Sequence, residues 1–134
     1  MPWRSAAKNS GFSTAETTWL PVPQAHRALA VETQLGDAGS VLNAWRRFLA
    51  WRKEHPALRH GALRLHETAD PVVAFERFGG NERLYCAFNL DAAPVELGPP
   101  IGEALPLCDF PIALSNGVVR LPGYGAYFGR LPIG

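Results

Sequence analysis

Cysteine is scarce: Cys86 and Cys108 are the only two in 134 residues. Two thiols in no metal-ligand or redox spacing exclude a disulfide framework as the source of stability, and both read as buried thiols. Net charge is nearly absent. Thirteen Lys+Arg against 12 Asp+Glu leave a formal +1 with no basic run, which excludes a nucleic-acid partner. No apolar stretch approaches the roughly 20 residues that cross a bilayer, and the opening Met1-Pro2-Trp3-Arg4 lacks the apolar core of a secretory signal. The chain therefore reads as soluble and cytoplasmic, with no membrane partner. His26, His55, His60 and His66 share no spacing that puts two ligands on one helix face, and no Gly-rich loop opens a helix, so neither a metal nor a cofactor is expected. The length is also too small for a (β/α)₈ barrel, which takes roughly 250 residues.

What is there is 47% hydrophobic residue, with 13 Gly and 12 Pro gathered near the start and in the last forty residues, the composition of a turn-rich domain. Residues 1–36 show neither helical nor alternating periodicity. Pro2, Gly11, Pro21 and Pro23 break this stretch, while Trp3, Phe12, Trp19, Leu20 and Val22 give it something to bury, which predicts an irregular segment pinned by aromatics. Residues 37–56 read as one helix. Asp37 or Ser40 caps it, Arg52, Lys53 and His55 suit its C-terminal dipole, and Pro56 ends it. Val41, Leu42, Trp45, Phe48 and Leu49 form a single apolar stripe, which is its packing face. Arg52 falls at the end of that stripe and needs an acceptor for its head. Trp51 lies off it and implies a second contact face.

From Gly61 the period changes to two. Runs at 61–66, 72–78, 82–90, 118–121 and 126–131 read as strands, so residues 61–134 are expected to form an antiparallel β-domain. The fold class is α+β, mainly β. In the clearest hairpin a Gly79-Gly80 loop pairs Arg77 with Glu82 and Glu76 with Arg83, and sets Phe75 opposite Leu84 and Val73 opposite Cys86. A loop at Gly80-Asn81 keeps the faces without those charge pairs and is the alternative.

Paired acids in a cleft would suggest glycosidase chemistry. Glu76 and Glu82, however, read as solvated cross-strand ion pairs, and Asp70 before Pro71 as a turn opener. Ser40 and Ser115 have no nucleophile context. No catalytic residue is assigned. Trp3, Phe12 and Trp19 remain, as aromatic faces on which a sugar ring can lie or as anchors for a long loop. Trp3 and Trp19 are the candidate sugar contacts.

Met1-Pro2-Trp3, Gly11-Phe12-Ser13, Trp19-Leu20-Pro21-Val22 and above all the stretch from Ser40 to Arg59, in this order, resemble the C-terminal part of bacterial α-glucosidases and oligo-1,6-glucosidases of the α-amylase family. Val73-Ala-Phe-Glu-Arg77 and Cys86-Ala-Phe-Asn-Leu90 resemble the first strands of that family's C-terminal domain. Arg4 and Trp51 depart from its usual Asp and Leu. The resemblance implies that residues 4–36 form the loop after the eighth barrel strand, residues 37–56 the last barrel helix and residues 61–134 a β-sandwich. It also implies a parent enzyme that cleaves terminal α-linked glucose from malto- or isomalto-oligosaccharides with retention. The parent's catalytic carboxylates lie on earlier strands, so this chain alone is expected to be inactive.

A barrel helix buries its stripe on the barrel. Burying these five side chains is worth roughly 10 kcal/mol before entropy, so the stripe is expected to find the missing barrel or, in the isolated chain, its own sheet or a second copy in a homo-oligomer. The alternatives are a stand-alone carbohydrate-binding module using Trp3, Trp19 or Trp51, and a helix-mediated oligomerisation domain.

Overall fold

A computed structural model of the chain describes residues 1–105, 113–115 and 117–133. It divides into two compact units, residues 1–49 and 50–134. Helix and antiparallel sheet are mixed, as the α+β reading requires.

The first unit departs from a wholly irregular segment. It holds 3-10 turns at Lys8–Gly11 and Gln24–Leu29 and a short helix α1, Val31–Gly36. These pieces carry no apolar periodicity, because each is too short to present a face, and backbone hydrogen bonds hold them instead. The long helix, α2 (Val41–Glu54), starts later than Asp37. Ser40 is its cap: the Ser40 Oγ accepts from Asn43 N at 3.3 Å, while Asp37 Oδ1 accepts from Gly39 N at 2.9 Å in the preceding turn. Gln34 adds a cap from outside the helix, its Oε1 accepting from Leu42 N at 3.1 Å. Along the stripe Val41, Trp45 and Leu49 are 69%, 57% and 45% exposed, with Leu42 and Phe48 half-buried.

The second unit is the β-domain. Helix α3 (Pro56–His60) leads into β1 (Ala62–His66), β2 (Val72–Gly79), β3 (Glu82–Asn89), β4 (Val95–Leu97), β5 (Glu103–Ala104), β6 (Ala113–Ser115), β7 (Val118–Leu121) and β8 (Ala126–Arg130). They make one sheet ordered β1-β2-β3-β8-β5 and a second ordered β4-β7-β6. Ala74, Tyr85, Ala87 and Tyr127 of the first meet Leu97, Val119 and Leu121 of the second, and this is the core. Strands β4, β5 and β6 are short, and the alternation of period two misses runs of this length. The chain just before β5 comes so close to β8 that a Cβ at Gly129 would lie 1.8 Å from the Ile101 carbonyl oxygen.

The opposite face of the larger sheet buries Leu84, Cys86 and Phe128, and α3 packs on β2 and β3 there. Trp51 supplies the second contact face of α2: its ring lies 5.0 Å from that of Phe128 and 4.4 Å from that of His55. The Arg52 head finds its acceptor in the Leu58 carbonyl at 3.0 Å. Cys86 is a free, fully buried thiol, which burial pushes up to about 12, whereas Cys108 falls outside the described residues.

The β2–β3 hairpin takes the alternative register. Gly79 pairs with Glu82, so the loop is Gly80-Asn81, and Phe75 faces Cys86 and Val73 faces Phe88. Gly80 has φ of 60°, and a II′ turn needs glycine at that first loop position. The expected loss of charge pairing is only half real. Glu76 still meets Arg83 as a diagonal neighbour, at 2.9 Å and 3.0 Å, while Glu82 gives up Arg77.

Candidate functional site

Proline at position 2 and glycine at position 11 punctuate the first unit, and the backbone between them shows why. Asn9, Ser10 and Gly11 all take positive φ, at 50°, 53° and 70°. Glycine adopts that region freely and asparagine tolerates it, but serine carries a cost of about 1–2 kcal/mol, so the turn is held by its surroundings. Ser10 is fully buried and its carbonyl accepts from Trp3 N at 2.8 Å and Arg4 N at 3.0 Å. The Asn9 amide donates to the Ala15 carbonyl at 2.7 Å. On the other side the Pro2 and Trp3 carbonyls each accept, at 3.1 Å, from Val31 N and Glu32 N at the start of α1. Trp3 is thus fixed by its main chain, and its ring is left half outside.

Ser5 secures the same stretch through its N–H and hydroxyl, both donating to Glu32 Oε1, at 2.5 Å and 2.8 Å. Those two bonds hold the Glu32 carboxyl below the usual carboxylate range. The aromatics are not swallowed by this scaffold. Trp3 is 51% exposed, Phe12 60% and Trp19 98%. Two concavities result. One, of about 500 Å³, is lined by Pro2, Phe12, Trp19, Leu20 and His26 among others. The second, wider and shallower at about 1060 Å³, is lined by Trp3, Arg4, Lys8, Phe12 and Glu32. Trp19 lines the first and Trp3 the second, and Phe12 is an aromatic common to both.

The acids expected to be structural are so, with different partners. Glu76 is 1% exposed rather than solvated, and bonds Arg83 and, at 2.8 Å, His66 Nε2. The Arg83 guanidinium, with help from His66, holds the Glu76 carboxyl below its ordinary range against the opposing effect of burial. Glu82 accepts from His55 Nδ1 at 2.5 Å and from Ala57 N at 3.1 Å, capping α3. Both carboxylates are fully committed to the fold. Asp70 lies in the turn before β2, with Val72 N donating to the Ala69 carbonyl. Among the described residues no group of three His, Cys, Asp or Glu is placed to hold a metal ion, and no helix is long and apolar enough to cross a membrane.

The left-handed run at Asn9 and Ser10 is what sequence reasoning missed. The signal was present, since an Asn two residues before a Gly in a break between aromatics favours positive φ.

Comparison with known proteins settles the lineage. A family profile described as alpha amylase, catalytic domain, matches residues 1–61, ending where β1 begins. A probable alpha-glucosidase of Rhizobium meliloti is 43% identical over 98% of the chain. The chain belongs to the α-amylase family. The Rhizobium relative's aligned part is 24% of its own length. An oligo-1,6-glucosidase of Parageobacillus thermoglucosidasius is 32% identical over 66% of this α-amylase-family chain and 16% of its own. Among solved structures, an alpha-glucosyl transfer enzyme, XgtA, superposes with a TM-score of 0.84 at 42% identity, covering 97% of this chain and 24% of that one. The chain thus spans about a quarter of the length of the relatives it matches.

Proposed function

We propose that this chain is the C-terminal structural portion of a retaining α-glucosidase acting on terminal α-linked glucose of malto- or isomalto-oligosaccharides. The observation that carries the reading is the 43% identity to an alpha-glucosidase over 98% of this chain but only 24% of that protein. The state of Glu76 and Glu82 agrees with it. Retaining hydrolysis needs two carboxyl groups about 5–5.5 Å apart, one free to attack and one free to give a proton. Both of these are occupied by cations, a histidine or a helix N-terminus, so this chain is inactive alone.

In this reading α2 is the last barrel helix, and Val41, Leu42, Trp45, Phe48 and Leu49 pack on the parent's catalytic barrel. In the isolated chain the same face drives homo-oligomerisation, because an apolar stripe with three of its side chains about half exposed or more lowers its free energy by pairing. The loop with Trp3 and Trp19 forms part of the wall of the sugar-binding cleft. The test is a chimera. The 134-residue chain should release no p-nitrophenol from its α-glucoside, and should restore turnover when it replaces the last quarter of the Rhizobium relative. Turnover by the chain alone overturns the reading.

One observation favours a second reading, a stand-alone carbohydrate-binding module: Trp19 is 98% exposed, as a binding platform would be. Maltose or isomaltose should then change the tryptophan fluorescence of the isolated chain saturably. An unchanged emission leaves the first reading standing.

A further inference from the structure

The second unit has a cavity that none of the functional reading uses. It measures about 380 Å³ and lies between the turn over 67–72 and the segment 95–100, with His66 and Tyr85 at its base. That volume is at the small end of pockets that take a single small molecule, roughly 300–1,000 Å³. Tyr85 is only 4% exposed, yet it lines this cavity, and its hydroxyl bonds no described residue. The side chain is otherwise buried, and its open hydroxyl is a donor and an acceptor that a ligand in the cavity can meet. His66 is oriented by the buried Glu76, which accepts from its Nε2 at 2.8 Å. A neutral imidazole that donates from Nε2 offers Nδ1 as an acceptor.

Around the mouth stand three exposed carboxylates, Glu67, Asp70 and Glu96, and no Lys or Arg lines the cavity. They are not placed to hold a metal ion. The walls include Pro71 and Pro99, which present C–H surface. Acceptors therefore outnumber donors, and apolar faces stand between them. A pyranose ring answers both features: its hydroxyls donate to the carboxylates, to His66 Nδ1 and to the Tyr85 oxygen, while its C–H face lies on proline.

We propose that this cavity binds one glucosyl unit of an α-linked oligosaccharide, at a site sharing no lining residue with the N-terminal concavities. The choice of glucose rests on the α-glucosidase reading; the donor-rich ring does not. The test is an amide-resolved NMR titration of the 134-residue chain with methyl α-glucoside, methyl α-mannoside and tetramethylammonium. The glucoside should shift amides over 67–72 and 95–98 saturably at millimolar concentration. Tyr85→Phe, which keeps the ring and hence the packing, and Glu96→Gln should each weaken that binding by up to about tenfold. No saturable shift with any probe overturns the site, and shifts with tetramethylammonium alone overturn the assignment to a polyol. Shifts with the mannoside but not the glucoside overturn glucose while leaving the ring. Tryptophan emission stays silent in every arm, because no Trp lines this cavity, and the chimera's turnover does not depend on it, so failure here is distinct from failure of the enzymatic reading.

Discussion

Residues 1–49 and 50–134 are stabilised by different means. The second unit buries Tyr127, Leu84, Leu121, Val119 and Cys86 completely, between its two sheets and on the opposite face of the larger one. The first buries only Ala30, Ser10 and Ser40. Fixing a backbone residue costs about 1–2 kcal/mol, and a fully buried large apolar side chain returns about 1.5–3. On that balance the β-domain has a core of its own, whereas the first unit rests on backbone hydrogen bonds and caps. Its large apolar side chains are instead at the surface, from Trp3 and Trp19 to Val41 and Trp45. Exposed apolar area of this kind marks a binding surface, and the unit that lacks a core is the one matched by the catalytic-domain profile.

The sharpest way to break this contrast is to truncate one large aromatic in each unit. Tyr127→Ala should cost about 3–5 kcal/mol, because it empties the centre of the sandwich and orphans the Gly102 carbonyl, which accepts from the Tyr127 hydroxyl at 3.2 Å. Trp19→Ala should change stability by less than about 0.5 kcal/mol, since 98% of that residue already meets solvent. Urea unfolding followed by far-UV circular dichroism measures both. Equal costs would show that the first unit has a core after all.

Next in size is the buried carboxylate of the β-domain. Glu76→Gln leaves Arg83 and His66 without their shared anion and should cost roughly 2–3 kcal/mol, discounted because Arg83 is 35% exposed. The pH dependence has a definite sign. The folded-state value of Glu76 is lowered, so the stability it contributes is complete above the unfolded value of about 4.3 and is lost as pH falls through the lower, folded value. The midpoint of acid unfolding should therefore move to higher pH in the Gln variant. A wild-type curve flat down to pH 3 would show that Arg83 and His66 do not stabilise the charged form.

Much of this was legible in the amino-acid sequence. Helix α2 and five of the strands follow from periods of 3.6 and 2 that run long enough to count, and the helix cap narrows to Asp37 or Ser40. Strands β4 and β5 span three and two residues and leave no period to read. The hairpin shows a different limit. Local charge pairing favoured Gly79-Gly80, but the turn needs positive φ at its first position, and a diagonal Arg83 contact preserves the ion pair in the other register. Nor could linear spacing show that Glu76 would be buried between His66 and Arg83, because that depends on β1 lying against β2. The aromatic segment was legible as aromatics and turns, while the left-handed run at Asn9–Gly11 leaves no apolar period to read.

A smaller loss, confined to one helix cap, sharpens the comparison most. Ser40→Ala removes the hydroxyl that accepts from Asn43 N and that donates to the Gln34 carbonyl at 2.7 Å, and a lost N-cap costs about 1 kcal/mol. In a unit held by such bonds that loss should be felt locally. Amide exchange at the start of α2 and over α1 should speed up by about fivefold, as 1 kcal/mol implies, with no change in the β3 and β8 amides. The reason is that Ser40 ties α2 to Gln34 of α1, whereas β3 and β8 exchange only when the sandwich itself opens. Faster exchange in the sheet as well would mean that the two units unfold as one.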